Sequence, residues 1–154
     1  MEKINWSRVV AGGLLAGVVL NALDFVVHGV FFKDDWAAAM QALNRSMEFS
    51  WKQNTAFLVF GLLLGILALW LYAQIRPRYG AGPKTAVIAG IAVWIPSGLL
   101  GWGSPAVLHI FPQGLMAWAI VMSLVEMVVG TIAGAWLYKE AAPAEKAATA
   151  AAGQ

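Results

Sequence analysis

The sequence contains no cysteine and few charged residues for its length. Without cysteine the chain can form no disulfide bond and no thiolate metal site, and it has no cysteine nucleophile. Only 12% of the 154 residues are charged, whereas a water-soluble domain carries about 25%. A surface so poor in charge would aggregate in water, so hydrocarbon is the expected solvent. The net charge of +2 is too small to indicate nucleic acid as a partner.

The sequence instead contains several long runs of apolar residues. Hydrocarbon offers the backbone no hydrogen-bond partners, so an apolar run of about 20 residues must cross it as a helix. Four runs qualify, at 6–32, 55–75, 85–102 (with an alternative end at 110) and 115–138. The predicted fold is an all-α integral membrane four-helix bundle, a single domain over residues 1–140. An Ala-rich tail, predicted to be cytoplasmic, follows over residues 141–154.

The basic residues predict how the chain is threaded. Lys and Arg accumulate in short cytoplasmic flanks of membrane helices. With the N-terminus inside, the inner flanks hold seven basic residues and the outer flanks three: Lys3, Arg8, Arg76, Arg78, Lys84, Lys139 and Lys146 against Lys33, Arg45 and Lys52. Both termini are therefore predicted to lie on the cytoplasmic side of a bacterial inner membrane. The first run has no small-residue cleavage site, so we expect it to remain as an anchor.

The long outer loop is predicted to contain a short amphipathic helix. Asp34 or Asp35 can act as its N-cap, and apolar side chains follow at positions i, i+4 and i+7, namely Trp36, Met40 and Leu43. Such a helix is expected to lie on the outer membrane surface.

The third run is interrupted by helix-breaking residues, which are Pro96, Gly98, Gly101, Gly103 and Pro105. Pro96 is expected to kink the helix because it removes a backbone hydrogen bond. Ser104 and Pro105 resemble an N-cap and the first residue of a new short helix. Two alternatives remain: the span ends near Trp102, or it continues as a broken helix covered by protein or a cavity.

Two stripes of small and polar residues predict how the helices pack. In span one the residues of the stripe are spaced by 4, 4, 3 and 4 positions, so they share one helical face: Gly13, Gly17, Asn21, Asp24 and His28. In span four the spacings are 3, 4 and 4, through Ser123, Glu126, Gly130 and Gly134. The small residues, together with Gly61 and Gly65 in span two, form GxxxG patterns that let helices approach closely. The stripes match in depth if spans one and four pack antiparallel.

The ionisable residues of these stripes form the candidate site. A carboxylate in hydrocarbon costs about 2.5–3.5 kcal/mol on insertion scales, so Asp24 and Glu126 are expected to face the bundle interior. With Asn21, His28 and Ser123 they form a predicted intramembrane polar site, which serves either as an interhelical hydrogen-bond network or as a binding or transport site. His109 is also predicted on the outer side, where His28, Asp24, Glu48 and His109 could converge.

Several short segments resemble a family of small bacterial four-span membrane proteins of unknown function. They are Ile-Asn-Trp-Ser-Arg-Val-Val-Ala-Gly-Gly at 4–13, Gly-Val-Val-Leu-Asn at 17–21, Trp-Ala-Ala-Ala-Met at 36–40 and the segment 72–86. The resemblance implies four helices and an inner-membrane location. It implies no activity and no catalytic residue.

Three hypotheses for function follow from the sequence. The first is a non-enzymatic subunit that contacts other transmembrane helices through its GxxxG faces, in a homo-oligomer or a larger complex. The second is a small proton- or cation-coupled transporter or channel that uses Asp24, His28 and Glu126. The third is haem, pigment or metal binding at the outer face by His28 and His109. Membrane lipids are the other expected partner. No cofactor is predicted, and haem, pigment and quinone stay open.

Overall fold

The computed structural model describes residues 4–138, and every regular element within that range is helical. The predicted tail over residues 141–154 and the basic residues Lys3, Lys139 and Lys146 lie outside the described residues. The helices, in chain order, are α1 (Trp6–Val26), α2 (Lys33–Ala42), α3 (Trp51–Tyr79), α4 (Pro83–Trp94), α5 (Leu100–Val107) and α6 (Gln113–Leu137).

Two π-helical turns extend these helices into four long rods. The turn Val27–Phe31 continues α1, and the turn Ile95–Leu99 joins α4 to α5. Each of the four rods is long and apolar enough to cross a membrane: Trp6–Phe31, Trp51–Tyr79, Pro83–Val107 and Gln113–Leu137. The prediction of an all-α fold with four such helices is confirmed.

Helix α1 lies between α3 and α6, and α4 packs on both of those helices. Buried clusters mark the two ends of the bundle. At the end we call the termini end, Ile4 and Val9 pack with Tyr72 and Tyr138. At the opposite end, which we call the α2 end, buried side chains of α2 and α6 pack together with Trp102 and Phe111.

Glycines let α1 approach both of its neighbours at backbone distance. A methyl group on Gly13 or Gly17 would collide with the backbone of α3, and one on Gly65 would collide with the backbone of Gly13 and Gly17. On its other side, α1 meets α6 where Gly12 faces Gly134. The helices therefore pack with their backbones in direct contact at these glycines.

The third rod is continuous, and the prediction of a new helix beginning at Ser104 is wrong. Ser104 and Pro105 lie inside α5, where the Ser104 hydroxyl donates to the Leu100 carbonyl at 2.8 Å. Pro96 lies in the π-helical turn, in which the Leu100 N–H bonds to the Ile95 carbonyl. The wider turn lets the helix continue past a residue that has no N–H group.

The predicted short helix in the long loop exists, but its predicted cap is wrong. Phe32 is the N-cap of α2 and provides no side-chain hydrogen bond, while Asp34 and Asp35 lie in the first turn. Their negative charges still favour that helix end because the first turn exposes N–H groups. Trp36 and Ala39 are buried against α6, so α2 is docked onto the bundle.

Candidate functional site

The structure brings three of the five predicted polar residues to one point. Asp24 in α1, His28 in the π-helical turn and Glu126 in α6 each direct one metal-ligating atom to within 4.8 Å of the others. We call these three side chains the acid–histidine cluster. Residues from two helices that are distant in sequence therefore share one polar site within the bundle.

The spacing of small residues on α1 explains why Asp24 meets Glu126. Gly134 faces Gly12, and Gly130 faces Ala16 and Leu20. Steps of four residues along this α6-facing side of α1 lead through positions 12, 16 and 20 to Asp24. On α6, steps of four residues run in the opposite chain direction, from Gly134 through Gly130 to Glu126.

The predicted single stripe on α1 is in fact divided between two neighbours, which corrects the sequence interpretation. Gly13 and Gly17 contact α3, and the Asn21 amide donates to the Leu58 carbonyl of α3 at 3.2 Å. Asp24 and His28 instead approach α6. One broad face of a central helix therefore reaches two different partners.

The cluster contains buried polar atoms without hydrogen-bond partners. Glu126 is 4% exposed, and within residues 4–138 neither its Oε1 atom nor the Nε2 atom of His28 has a hydrogen-bond partner. The distance from His28 Nε2 to Asp24 Oδ1 is 4.0 Å, too long for a hydrogen bond. An unsatisfied buried polar atom costs about 1–3 kcal/mol. The arrangement is therefore better suited to a site that receives something than to a finished structural network.

Asp24 is the member of the cluster that faces outwards. Its side chain is 53% exposed, against 14% for His28. The cluster therefore has one open side, at Asp24, and one buried side, at Glu126.

Trp36 contacts the cluster from α2, and sequence analysis missed this role. Its indole N–H donates to Nδ1 of His28 at 3.0 Å. The Trp102 ring lies 6.0 Å from the His28 ring and 5.5 Å from the Trp36 ring. The short connection between α1 and α2 was the available signal, because it keeps residues 28 and 36 close together.

The other two predicted site residues serve elsewhere. Asn21 donates to the Gly17 carbonyl at 2.8 Å as well as to α3, and lies against Gly61. Ser123 accepts a hydrogen bond from the Trp94 indole at 3.0 Å and donates to the Ile120 carbonyl at 2.9 Å. Both residues therefore form hydrogen bonds between helices.

His109 and Glu48 do not belong to the acid–histidine cluster. Both are exposed, and His109 has a positive φ of 52° just after α5. The Nδ1 atom of His109 lies 3.0 Å from the Val107 carbonyl oxygen. A haem, pigment or metal site shared by His28 and His109 stays a prediction that this geometry does not support.

Comparison of the chain with protein-family models, with curated proteins and with solved structures found no match. The resemblance to small four-span membrane proteins therefore stays a prediction, and the case for function rests on the geometry of the cluster.

Proposed function

We propose that this chain is a multi-pass protein of the bacterial inner membrane, with its N-terminus in the cytoplasm, that binds and moves a cation. The cation, the proton included, would occupy the acid–histidine cluster. One observation carries the proposal: a ligating oxygen of the buried Glu126 carboxyl, whose Oε1 has no hydrogen-bond partner among the described residues, lies within 4.8 Å of ligating atoms of Asp24 and His28. Ionisable groups at such depth are expensive and typically mark ion or proton pathways.

The depth of the three residues supports a route into the site. Asp24 lies seven residues before the end of the first rod at Phe31, or about 10 Å at 1.5 Å per residue. Glu126 is close to the middle of α6, which runs over Gln113–Leu137. A cation entering from the α2 end would therefore meet the half-exposed Asp24 first and the buried Glu126 last.

A flux assay in proteoliposomes tests the proposal. Purified protein is reconstituted, a potassium diffusion potential is applied, and internal pH is followed with a trapped dye. Parallel vesicles report Na⁺, K⁺ and Mn²⁺ entry. The wild type is expected to carry at least one of these ions, and Glu126→Gln and Asp24→Asn are expected to abolish that flux.

Asp34→Asn provides the matched control because Asp34 is an exposed carboxylate of α2 outside the cluster. It should retain wild-type flux. Wild-type vesicles that leak no faster than empty ones, for all four ions, would refute the proposal. Equal flux in wild type and Glu126→Gln would refute it as well.

Self-association is a second candidate function, supported by the exposure of Asp24. Its side chain is 53% exposed on the surface of the bundle. In hydrocarbon a carboxylate must be covered by protein or lie against water. The GxxxG faces that first suggested partner contacts are occupied by helices of this chain. We therefore propose that a second copy covers the α1 surface around Asp24.

Cysteine cross-linking tests this candidate, since the chain has no native cysteine. Phe25 is 66% exposed beside Asp24, and Trp136 is 83% exposed near the termini end. Phe25→Cys should form a disulfide-linked dimer in native membranes, and Trp136→Cys should not. Monomer alone from Phe25→Cys under oxidising conditions would contradict a second copy at this surface.

A further inference from the structure

The hydrogen bond between Trp36 and His28 determines where the histidine ring carries its hydrogen. An indole N–H can only donate, and it points at Nδ1 of His28 over 3.0 Å. Nδ1 must therefore offer its lone pair. A neutral imidazole has one hydrogen, so that hydrogen is on Nε2, the atom that lies 4.0 Å from Asp24 Oδ1.

Packing holds Trp36 in this position. Its side chain is 7% exposed and lies in a buried cluster with Leu115 and Met116 of α6. The rings of Trp102 and Phe111 each lie 5.5 Å from its ring. The indole cannot turn its N–H away from His28 without displacing this cluster, so the donor is a fixed part of the site.

A fixed donor at Nδ1 conflicts with the binding of a transition metal. One histidine and two carboxylates are a suitable donor set for such an ion. The ion would take the lone pair of Nε2 and move the ring hydrogen to Nδ1. Metal-bound histidines normally donate that second N–H to an acceptor, but here it would face the N–H of Trp36. Two donors would oppose each other at about hydrogen-bond distance.

The same arrangement suits a proton. A proton that adds to one carboxylate creates an O–H group, which can donate to the other carboxylate, while Nε2–H of His28 remains available as a further donor. Only O–H bonds form and break, and the proton leaves to water as it arrived. Nδ1 keeps its bond to Trp36 throughout, so no rearrangement of the aromatic cluster is needed.

We infer that Trp36 is a specificity-determining residue that makes the acid–histidine cluster a proton site and excludes transition-metal ions. The inference rests on the proposed function in that it takes this cluster as the cation site. Among the three residues of the acid–histidine cluster, Trp36 hydrogen-bonds to His28, so it acts by setting the hydrogen-bonding direction of that ring.

Nitrogen NMR of labelled histidine tests the first step without altering the site. The chain has two histidines, and His109→Gln leaves His28 as the only signal. At a pH where the ring is neutral, we expect a protonated Nε2 and an unprotonated Nδ1. In Trp36→Phe this preference should weaken or reverse. A wild-type ring that carries its hydrogen on Nδ1 overturns the inference.

Cobalt binding tests the second step, with Co²⁺ as both probe and chromophore. Outer-shell partners change metal affinity by about 10–100-fold. Trp36→Phe should therefore bind Co²⁺ at least about tenfold more tightly than wild type, and adding His28→Ala should remove the gain. Trp136→Phe, an exposed substitution far from the cluster, is the control and should match wild type.

The outcomes separate this inference from the proposed function. Equal Co²⁺ affinity in wild type and Trp36→Phe overturns the role of Trp36. Mn²⁺ flux through wild-type vesicles overturns it as well. Neither result contradicts the proposal that the protein moves a cation. The expected NMR and Co²⁺ results without flux of any ion refute transport, while the role of Trp36 stands.

Discussion

The two ends of the bundle use the same helices in different ways. Towards the termini end, α1 touches α3 and α6 through glycines, and an added methyl group would strike backbone atoms. Towards the α2 end, the same helix and the π-helical turn that continues it present Asp24 and His28 to Glu126, and buried polar atoms there have no hydrogen-bond partner in the described part of the chain. One half of α1 is thus optimised for close packing, whereas the other half keeps polar groups that packing alone does not require.

The π-helical turns belong to the less regular half. One contains His28, which accepts from the Trp36 indole, and the other follows Trp94, whose indole donates to Ser123 of α6. In each place an unusual turn lies beside a tryptophan that hydrogen-bonds to a neighbouring helix or turn. Such turns occur frequently at functional sites. The difference between the two ends can be tested by substitutions, from the largest expected effect to the smallest.

The largest effect is expected in the glycine-packed half. Gly65→Leu should destabilise the protein by more than about 3 kcal/mol, or prevent folding, because the new side chain would overlap the backbone of Gly13 and Gly17. Thermal unfolding in detergent measures the effect. Gly101→Leu is the control, since no other element of the described structure lies within 4 Å of an added Cβ there. Equal losses in both variants would contradict the close packing of α1 on α3.

Next in size is the removal of the buried indole at the α2 end. Trp36→Ala should cost about 3 kcal/mol through lost burial. Trp36→Phe should cost about 1 kcal/mol, because it loses mainly the hydrogen bond to His28. Unfolding midpoints compare both with Trp136→Ala, whose native side chain is 83% exposed. If Trp36→Ala lowered the unfolding midpoint as little as Trp136→Ala does, α2 would not be docked as described.

A substitution in the acid–histidine cluster should raise the free energy of unfolding, whereas the two preceding substitutions lower it. Glu126→Met replaces a buried carboxyl, whose Oε1 has no hydrogen-bond partner in the described structure, by an apolar side chain of similar length. We expect stability to rise by about 1–2 kcal/mol, since removal of poorly satisfied buried polar groups is often stabilising, while cation flux is lost. Unfolding and flux are measured on the same preparation. A large destabilisation would indicate that Glu126 is a structural residue.

The smallest effect is expected where the two halves meet. Asn21→Ala removes the amide that donates to the Leu58 carbonyl of α3. Interhelical hydrogen bonds in membrane proteins contribute about 0.6 kcal/mol on average, so we expect a loss of that order and unchanged flux. Gln74→Ala, at an exposed position of α3, serves as the reference. Loss of flux in Asn21→Ala would extend the functional site beyond the cluster.

Much of the candidate site was predictable from spacing, and the rest depended on neighbours that spacing does not reveal. Asp24 and His28 are one helical turn apart, and the antiparallel match of α1 with α6 brings Glu126 to their depth. Ser123 and Asn21 have equally suitable spacing, yet they bond to Trp94 and to α3. Helical periodicity places a residue on a face, but does not determine which helix lies against that face.

The sequence by itself determined the four apolar helices, because hydropathy and run length are local properties that no contact needs to supply. Only the tertiary structure decided that α1 divides its small residues between α3 and α6, that Pro96 lies in a wide turn within a continuous helix, and that Trp36 donates to His28. Each of these depends on which surfaces meet and how closely they approach. That outcome is set by the packing of the whole bundle.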